Sequence, residues 1–185
     1  RVATRDGLEG LSIGTLATDL GLSKSGLFAH FGSKEALQVE VLKAGVARFE
    51  AVAIRPALSA PRGEPRVQAL FDHWLGWMEH TEEFGGCLIT AASVELDDRP
   101  GPPRDYLAYI ERQHMGVLAK AVRMAIDEGH FQQEVDPKQF AFEWKGIILA
   151  YHETVRLMRD PAALTMARNA FARLMASARK APTVQ

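Results

Sequence analysis

Residues 12–37 read Ser12-Ile-Gly-Thr-Leu-Ala-Thr-Asp-Leu-Gly-Leu-Ser-Lys-Ser-Gly-Leu-Phe-Ala-His-Phe-Gly-Ser-Lys-Glu-Ala-Leu37. Ser12 has the side chain of a helix N-cap, and Ile13, Leu16, Ala17 and Leu20 follow at the i, i+3, i+4, i+7 spacing of one helix face. Gly21 is the natural stop, since a left-handed backbone at a helix C-terminus costs glycine little. Ser23 opens a second short helix that turns Leu27 and Phe31 inward and leaves Lys24, Ser25, Phe28 and His30 on other faces. Ser33, followed by Lys34-Glu35, opens a third. Two short helices joined by a tight turn form a helix-turn-helix pattern, which points to double-stranded DNA as the partner.

Outward from this stretch, bulk properties set the frame. The 185 residues allow one domain or two small ones, with 47% hydrophobic and 24% charged residues, ordinary for a globular chain. Formal net charge is −1, and over residues 1–50 the basic and acidic side chains cancel. Attraction to phosphate therefore has to come from the placement of a few groups. A single cysteine, Cys87, excludes an intrachain disulfide and fits a reducing, cytoplasmic setting. No apolar run is long enough for a membrane span, and there is no signal peptide. The residues ahead of Asp6-Gly7 read as the tail of a longer, truncated helix.

Elsewhere the pattern is helical, with no persuasive period-2 strand, so the predicted fold class is all-α with about nine helices. A long helix is expected over 34–54, a break over Pro56–Pro65, and further helices over 66–81, 88–96 and from Pro102 to Glu128. Asp136-Pro137 and Asp160-Pro161 each supply a cap and a first-turn proline for two last long helices, near 137–158 and 161–179. The expected division is 1–45 for the DNA-binding domain and 46–185 for a ligand-binding and dimerisation domain.

Gly21-Leu-Ser-Lys-Ser-Gly-Leu-Phe-Ala-His-Phe-Gly-Ser-Lys-Glu-Ala-Leu37, together with Thr15-Leu-Ala17, closely resembles the DNA-binding signature of TetR-type transcriptional regulators, over residues 7–45. The resemblance implies a homodimer reading a palindromic operator, released by a small-molecule effector bound in the C-terminal half. Mapped onto this chain, it places Thr15, Ser23, Lys24, Ser25, Gly26, Phe28, His30 and Lys34 at DNA. Lysine can donate to guanine O6/N7, and glycine permits close backbone approach. His30 and Lys34 fall at phosphate-contacting positions, Lys34 at a helix N-terminus. Phe28 stands where the family has tyrosine, so a hydroxyl-to-phosphate hydrogen bond is lost. Gly85-Gly-Cys-Leu88 and Glu95-Leu-Asp-Asp98 are similar to a subgroup of such regulators.

In the C-terminal half, Trp74, Trp77, Met78, Phe84, Cys87, Met115 and Trp144 are either ordinary core or the lining of an apolar effector cavity. Trp74 and Trp77 share a helix face. Cys87 is either a buried structural thiol or a redox-sensitive one. The last two helices carry apolar stripes, from which Ile148, Tyr151, Val155, Leu164, Ala167, Phe171 and Leu174 are the expected dimer contacts. No nucleophile–base pair, zinc spacing or phosphate loop is present, so neither an enzyme, a cofactor nor a metal is expected. The competing reading is a helical adaptor or scaffold without sequence-specific DNA binding, which the steep salt dependence of a DNA complex would distinguish.

Overall fold

The computed structural model describes residues 2–81 and 86–180, all-α apart from one isolated antiparallel bridge, Phe131 with Arg179. In chain order the helices are α1 (Val2–Asp6), α2 (Ile13–Leu20), α3 (Lys24–Phe31), α4 (Lys34–Phe49), a π-helical turn (Glu50–Ile54), α5 (Arg55–Leu58), α6 (Glu64–Thr81), α7 (Leu88–Glu95), α8 (Pro102–Asp127), α9 (Pro137–Arg156) and α10 (Ala163–Ala178).

One difference from the sequence pattern concerns Pro56, expected to break the chain. The helical path instead runs on from α4 through the π turn into α5, with Pro56 in α5's first turn. Proline has no N–H for the i→i−4 ladder and its ring crowds the preceding turn; the wider π turn just ahead accommodates both. A second difference is Leu20, placed on the inward face by spacing but 57% exposed, because α2 ends there.

Contacts divide the chain into two compact units, each made of two segments: residues 1–51 with 79–111, and 52–78 with 112–185. The single cut expected near residue 45 put 79–111 with the second half, whereas by packing they go with the N-terminal helices. The division falls inside α6 and inside α8.

In the first unit, Leu11, Ile13, Ala17, Leu27 and Leu37 form a small core, flanked by Val2, Leu16, Phe31 and Val41. The second unit is built around aromatic packing. Phe71 stacks on Phe171 with ring centroids 3.8 Å apart, and Trp144 stands edge-on to Trp74 at 4.6 Å. The end of α10 is stitched to the loop after α8 by Gln132 N–H donating to Ala178 C=O and Lys180 N–H donating to His130 C=O. Gly63 (φ +92°) passes so close to His130 that a Cβ there would collide with Nδ1, the atom that accepts the Glu64 N–H at 3.0 Å.

Candidate nucleic-acid interface

Short-range capping builds the helix-turn-helix. Ser12 and Thr15 form a reciprocal capping box: the Ser12 hydroxyl accepts the Thr15 N–H, and the Thr15 hydroxyl accepts the Ser12 N–H, both at 3.0 Å. This leaves the N–H groups of Ile13 and Gly14 outside the helix ladder at α2's positive end. Gly21 (φ +64°) ends α2, with Leu22 N–H donating back to Ala17 C=O at 2.9 Å. Ser23 caps α3 by accepting the Gly26 N–H at 3.1 Å, and a Cβ on Gly26 would crowd that hydroxyl at 3.0 Å. Ser33 caps α4 through the Ala36 N–H.

The decisive feature of α3 is how little of it is spent on the core. Leu27 is its only fully buried residue and Phe31 is half-buried, while Lys24, Ser25, Gly26, Phe28 and His30 are exposed. Phe28 is 56% exposed, unusual for a large apolar ring that the unit does not need. Lys24 at the start of the helix, Gly26 without a side chain and an outward Phe28 share the exposed surface of α3, and an α-helix fits the major groove. Thr15 is exposed on α2, its hydroxyl engaged with Ser12.

Lys34 sits differently from the other expected contacts. Its ammonium donates to the Glu9 carbonyl at 2.9 Å and pairs with the Glu9 carboxylate at 3.0 Å. The hydrogen bond from Lys34 and a second from Gln38, which donates to the Glu9 carboxylate at 3.2 Å, hold that carboxyl below the usual carboxylate range, with the Arg99 charge nearby. In the free protein Lys34 therefore anchors the connection between α1 and α2.

Of the residues expected to line an effector cavity, Trp74, Trp77, Met78 and Trp144 are buried in the second unit and Met115 is half-buried there. Trp74 meets both Trp144 and the buried His114, the latter edge-on at 6.0 Å. Cys87 is buried in the first unit, at the N-cap of α7, and Phe84 lies outside the described residues.

The expected dimer stripe is divided by the structure. Ile148 and Phe171 are inside the second unit's own core, and Val155 and Leu164 are half-buried. Tyr151, Ala167 and Leu174, though mostly buried, line a groove of about 820 Å³ along α9 and α10, with Gly146, Ala150, Met166, Ala170 and Arg173 on its outer side. Helical periodicity identifies an apolar face; here part of that face serves the interior and part lines the groove.

Two family models match the chain. The model of bacterial regulatory proteins of the tetR family matches residues 1–41, and that of the tetracyclin repressor-like C-terminal domain matches 63–171, more than half of the chain. The chain belongs to the TetR family. It is thus a DNA-binding transcriptional regulator of that family. Solved structures share this fold over 94–99% of the chain. The reduced form of NemR from E. coli is 19% identical, with 99% of this chain and 93% of that one covered and a TM-score of 0.79. A TetR-family regulator from Cytophaga hutchinsonii is 16% identical, covering 98% and 90%, with a TM-score of 0.83. AibR in complex with isovaleryl coenzyme A and operator DNA is 20% identical, covering 94% and 91%, with a TM-score of 0.73. No curated protein sequence matches significantly.

Among the described residues no group of three histidine, cysteine or acidic side chains could hold a metal, and no helix is long and apolar enough to cross a membrane. The residue that sequence reasoning left without a role is Glu95. It was visible only as part of Glu95-Leu-Asp-Asp98, and its hydrogen bonds reach more than eighty residues back along the chain.

Proposed function

We propose that this chain is a cytoplasmic repressor that binds a palindromic operator as a homodimer and leaves it when an apolar small molecule occupies the second unit. One observation carries the reading: α3 holds one fully buried residue and turns Lys24, Ser25, Gly26 and Phe28 outward. A helix that contributes so little to folding has most of its surface free to meet a partner. Residues 1–45 would read DNA, with Lys24 and Gly26 at base edges or the sugar-phosphate and Phe28 against a sugar or a thymine methyl. The N–H groups opening α2, beside Thr15, are suited to a phosphate. His30, in the last turn of α3, is a further phosphate donor, and Lys34 joins it only if DNA draws it from Glu9.

Residues 46–185 would bind effector and partner. The buried aromatic side chains of α6 and α9, Trp74 and Trp144 foremost, favour an apolar effector, as the complex of AibR with isovaleryl coenzyme A favours a ligand-responsive reading. The α9–α10 groove, with small Gly146, Ala150 and Ala170 at its open side, suits an isologous four-helix contact with a second copy. Release follows if effector binding pivots α4 and changes the spacing of the two recognition helices from the ~34 Å of successive major grooves. The effector must prefer the released conformation, since equal affinity for both shifts nothing.

The test is a mobility shift with DNA from upstream of the chain's own coding region, titrated with salt. Wild type should bind, with affinity falling steeply as salt rises, and Lys24→Ala should weaken binding about tenfold or more. Binding that is absent, or indifferent to salt and to Lys24, would return the chain to the class of helical adaptors.

A further inference from the structure

The connection between α1 and α2, residues 7–12, is held from two sides within the first unit. From α7, the Glu95 carboxylate accepts two consecutive backbone N–H groups, Leu8 at 2.8 Å and Glu9 at 2.6 Å, one on each oxygen. From α4, Gln38 donates to the Leu8 carbonyl at 2.9 Å and Lys34 to the Glu9 carbonyl at 2.9 Å. Arg99, just past α7, pairs with the Glu9 carboxylate at 3.3 Å. The approach at Gly7 is close: its φ is +78°, and a Cβ there would sit 3.0 Å from both Glu95 oxygens. Hydrogen bonds to an ionised carboxylate are roughly twice as strong as neutral ones, and two on one group fix orientation as well as distance.

This arrangement ties a backbone segment immediately ahead of α2 to a helix that follows α2 by nearly seventy residues. Leu8 is fully buried and Leu11 N–H donates to Leu8 C=O, so a displacement at Leu8 is passed to Leu11 and to the Ser12 cap. On its other side α7 lies against α4, where Gly45 has no Cβ and Leu88 takes the space; an added Cβ would stand 2.8 Å from a Leu88 methyl. Along the chain α7 is bracketed by α6 and α8, the two helices inside which the boundary between units falls.

We propose that Glu95 is a positioning residue for operator binding, its two-oxygen clasp on the Leu8 and Glu9 N–H groups setting where the N-terminus of α2 stands, so that α7 and the DNA-facing start of α2 move together. This rests on the DNA-binding reading above. It adds to that reading a defined mechanical link: α7 carries the headpiece by a charged clasp, and Lys34 and Gln38 hold the same connection to α4. A rearrangement that draws α7 away either breaks two charge-assisted hydrogen bonds or drags the Ser12–Thr15 turn off its phosphate.

The experiment compares full-length wild type, Glu95→Gln and Glu95→Asp on the operator fragment that wild type selects from its own upstream DNA. Glutamine keeps the size, loses the charge and turns an amide donor toward an N–H; aspartate keeps the charge and is one methylene short. Both should weaken operator binding at least about tenfold, equivalent to ~1.4 kcal/mol, while the folded fraction at the assay temperature stays at wild-type level. Because the clasp acts through the start of α2, Glu95→Gln should lose little more affinity once Thr15→Val has been introduced, a non-additivity that general destabilisation does not produce. In wild type, the amide hydrogens of Leu8 and Glu9 should exchange as slowly as those of α7, and in Glu95→Gln they should quicken while α3 amides do not. Binding within twofold of wild type by a folded Glu95→Gln overturns the proposal. So does fast exchange at Leu8 and Glu9 in wild type, a measurement that stands even if the variants do not fold. Failure of wild type to select any DNA would instead strike the DNA-binding reading itself.

Discussion

Replacing Phe28 by tyrosine adds one oxygen to the recognition helix and nothing else. The ring is 56% exposed on α3, so the new hydroxyl meets water in the free protein and the fold should be unchanged within about 0.5 kcal/mol. On the operator, the hydroxyl can donate to a backbone phosphate. A hydrogen bond to a charged group contributes about 1.5 kcal/mol at the lower end of its range, which is about tenfold in Kd. A dimer makes the contact twice at well-separated sites, so the two increments add toward ~100-fold. A neutral hydroxyl displaces no condensed cation, so the slope of log Kd against log salt should stay where it was. Mobility shift or anisotropy titrations at several salt concentrations read both quantities. Affinity within twofold of wild type, or a gain that comes with a changed slope, would refute the placement of Phe28 against the DNA backbone.

Ala170→Arg puts a long charged side chain into the α9–α10 groove; sedimentation should show the dimer giving way to monomer, and affinity for the full palindrome should fall much further than affinity for a half-site. Gly63→Ala forces a left-handed backbone on alanine and pushes His130 off the Glu64 N–H, costing about 2–3 kcal/mol and visible as a lower melting temperature. In that case Gly63→Ala and His130→Ala should be less than additive, and an unshifted melting temperature would discount the close approach. Burial, with Arg156 nearby, pushes His152 below the ordinary histidine range of about 6.5. The folded state then binds fewer protons than the unfolded one, so stability is full above about pH 6.5 and declines as pH falls from there toward the folded value. Melting at pH 5.5 and 7.5 should differ less in His152→Gln than in wild type.

What could be read from the sequence was whatever is decided within a few residues. The serines at 12, 23 and 33 and the glycines at 21 and 32 cap and end their helices through partners three to five residues away, so the helix-turn-helix was legible residue by residue. Periodicity equally found the apolar faces of α9 and α10, but a face is not labelled with what covers it. Ile148 and Phe171 went to the interior, and the groove fell to Gly146, Ala150 and Met166 beside them. The continuation through Pro56 was hidden because a π turn has no composition of its own. Glu95 and Lys34 escaped for the opposite reason: their partners lie far along the chain, and a lysine at a helix start reads as a phosphate ligand until Glu9 is seen beside it.

The thin anchorage of α3 also bears on how such a regulator changes its target. With one side chain fully buried and both ends held by caps that lie outside the helix, most of its eight positions can be exchanged with little effect on folding. The exceptions are Leu27, Phe31 and the crowded Gly26. A duplicated copy of this chain could drift from one operator to another through soluble, folded intermediates, each step judged by the DNA alone.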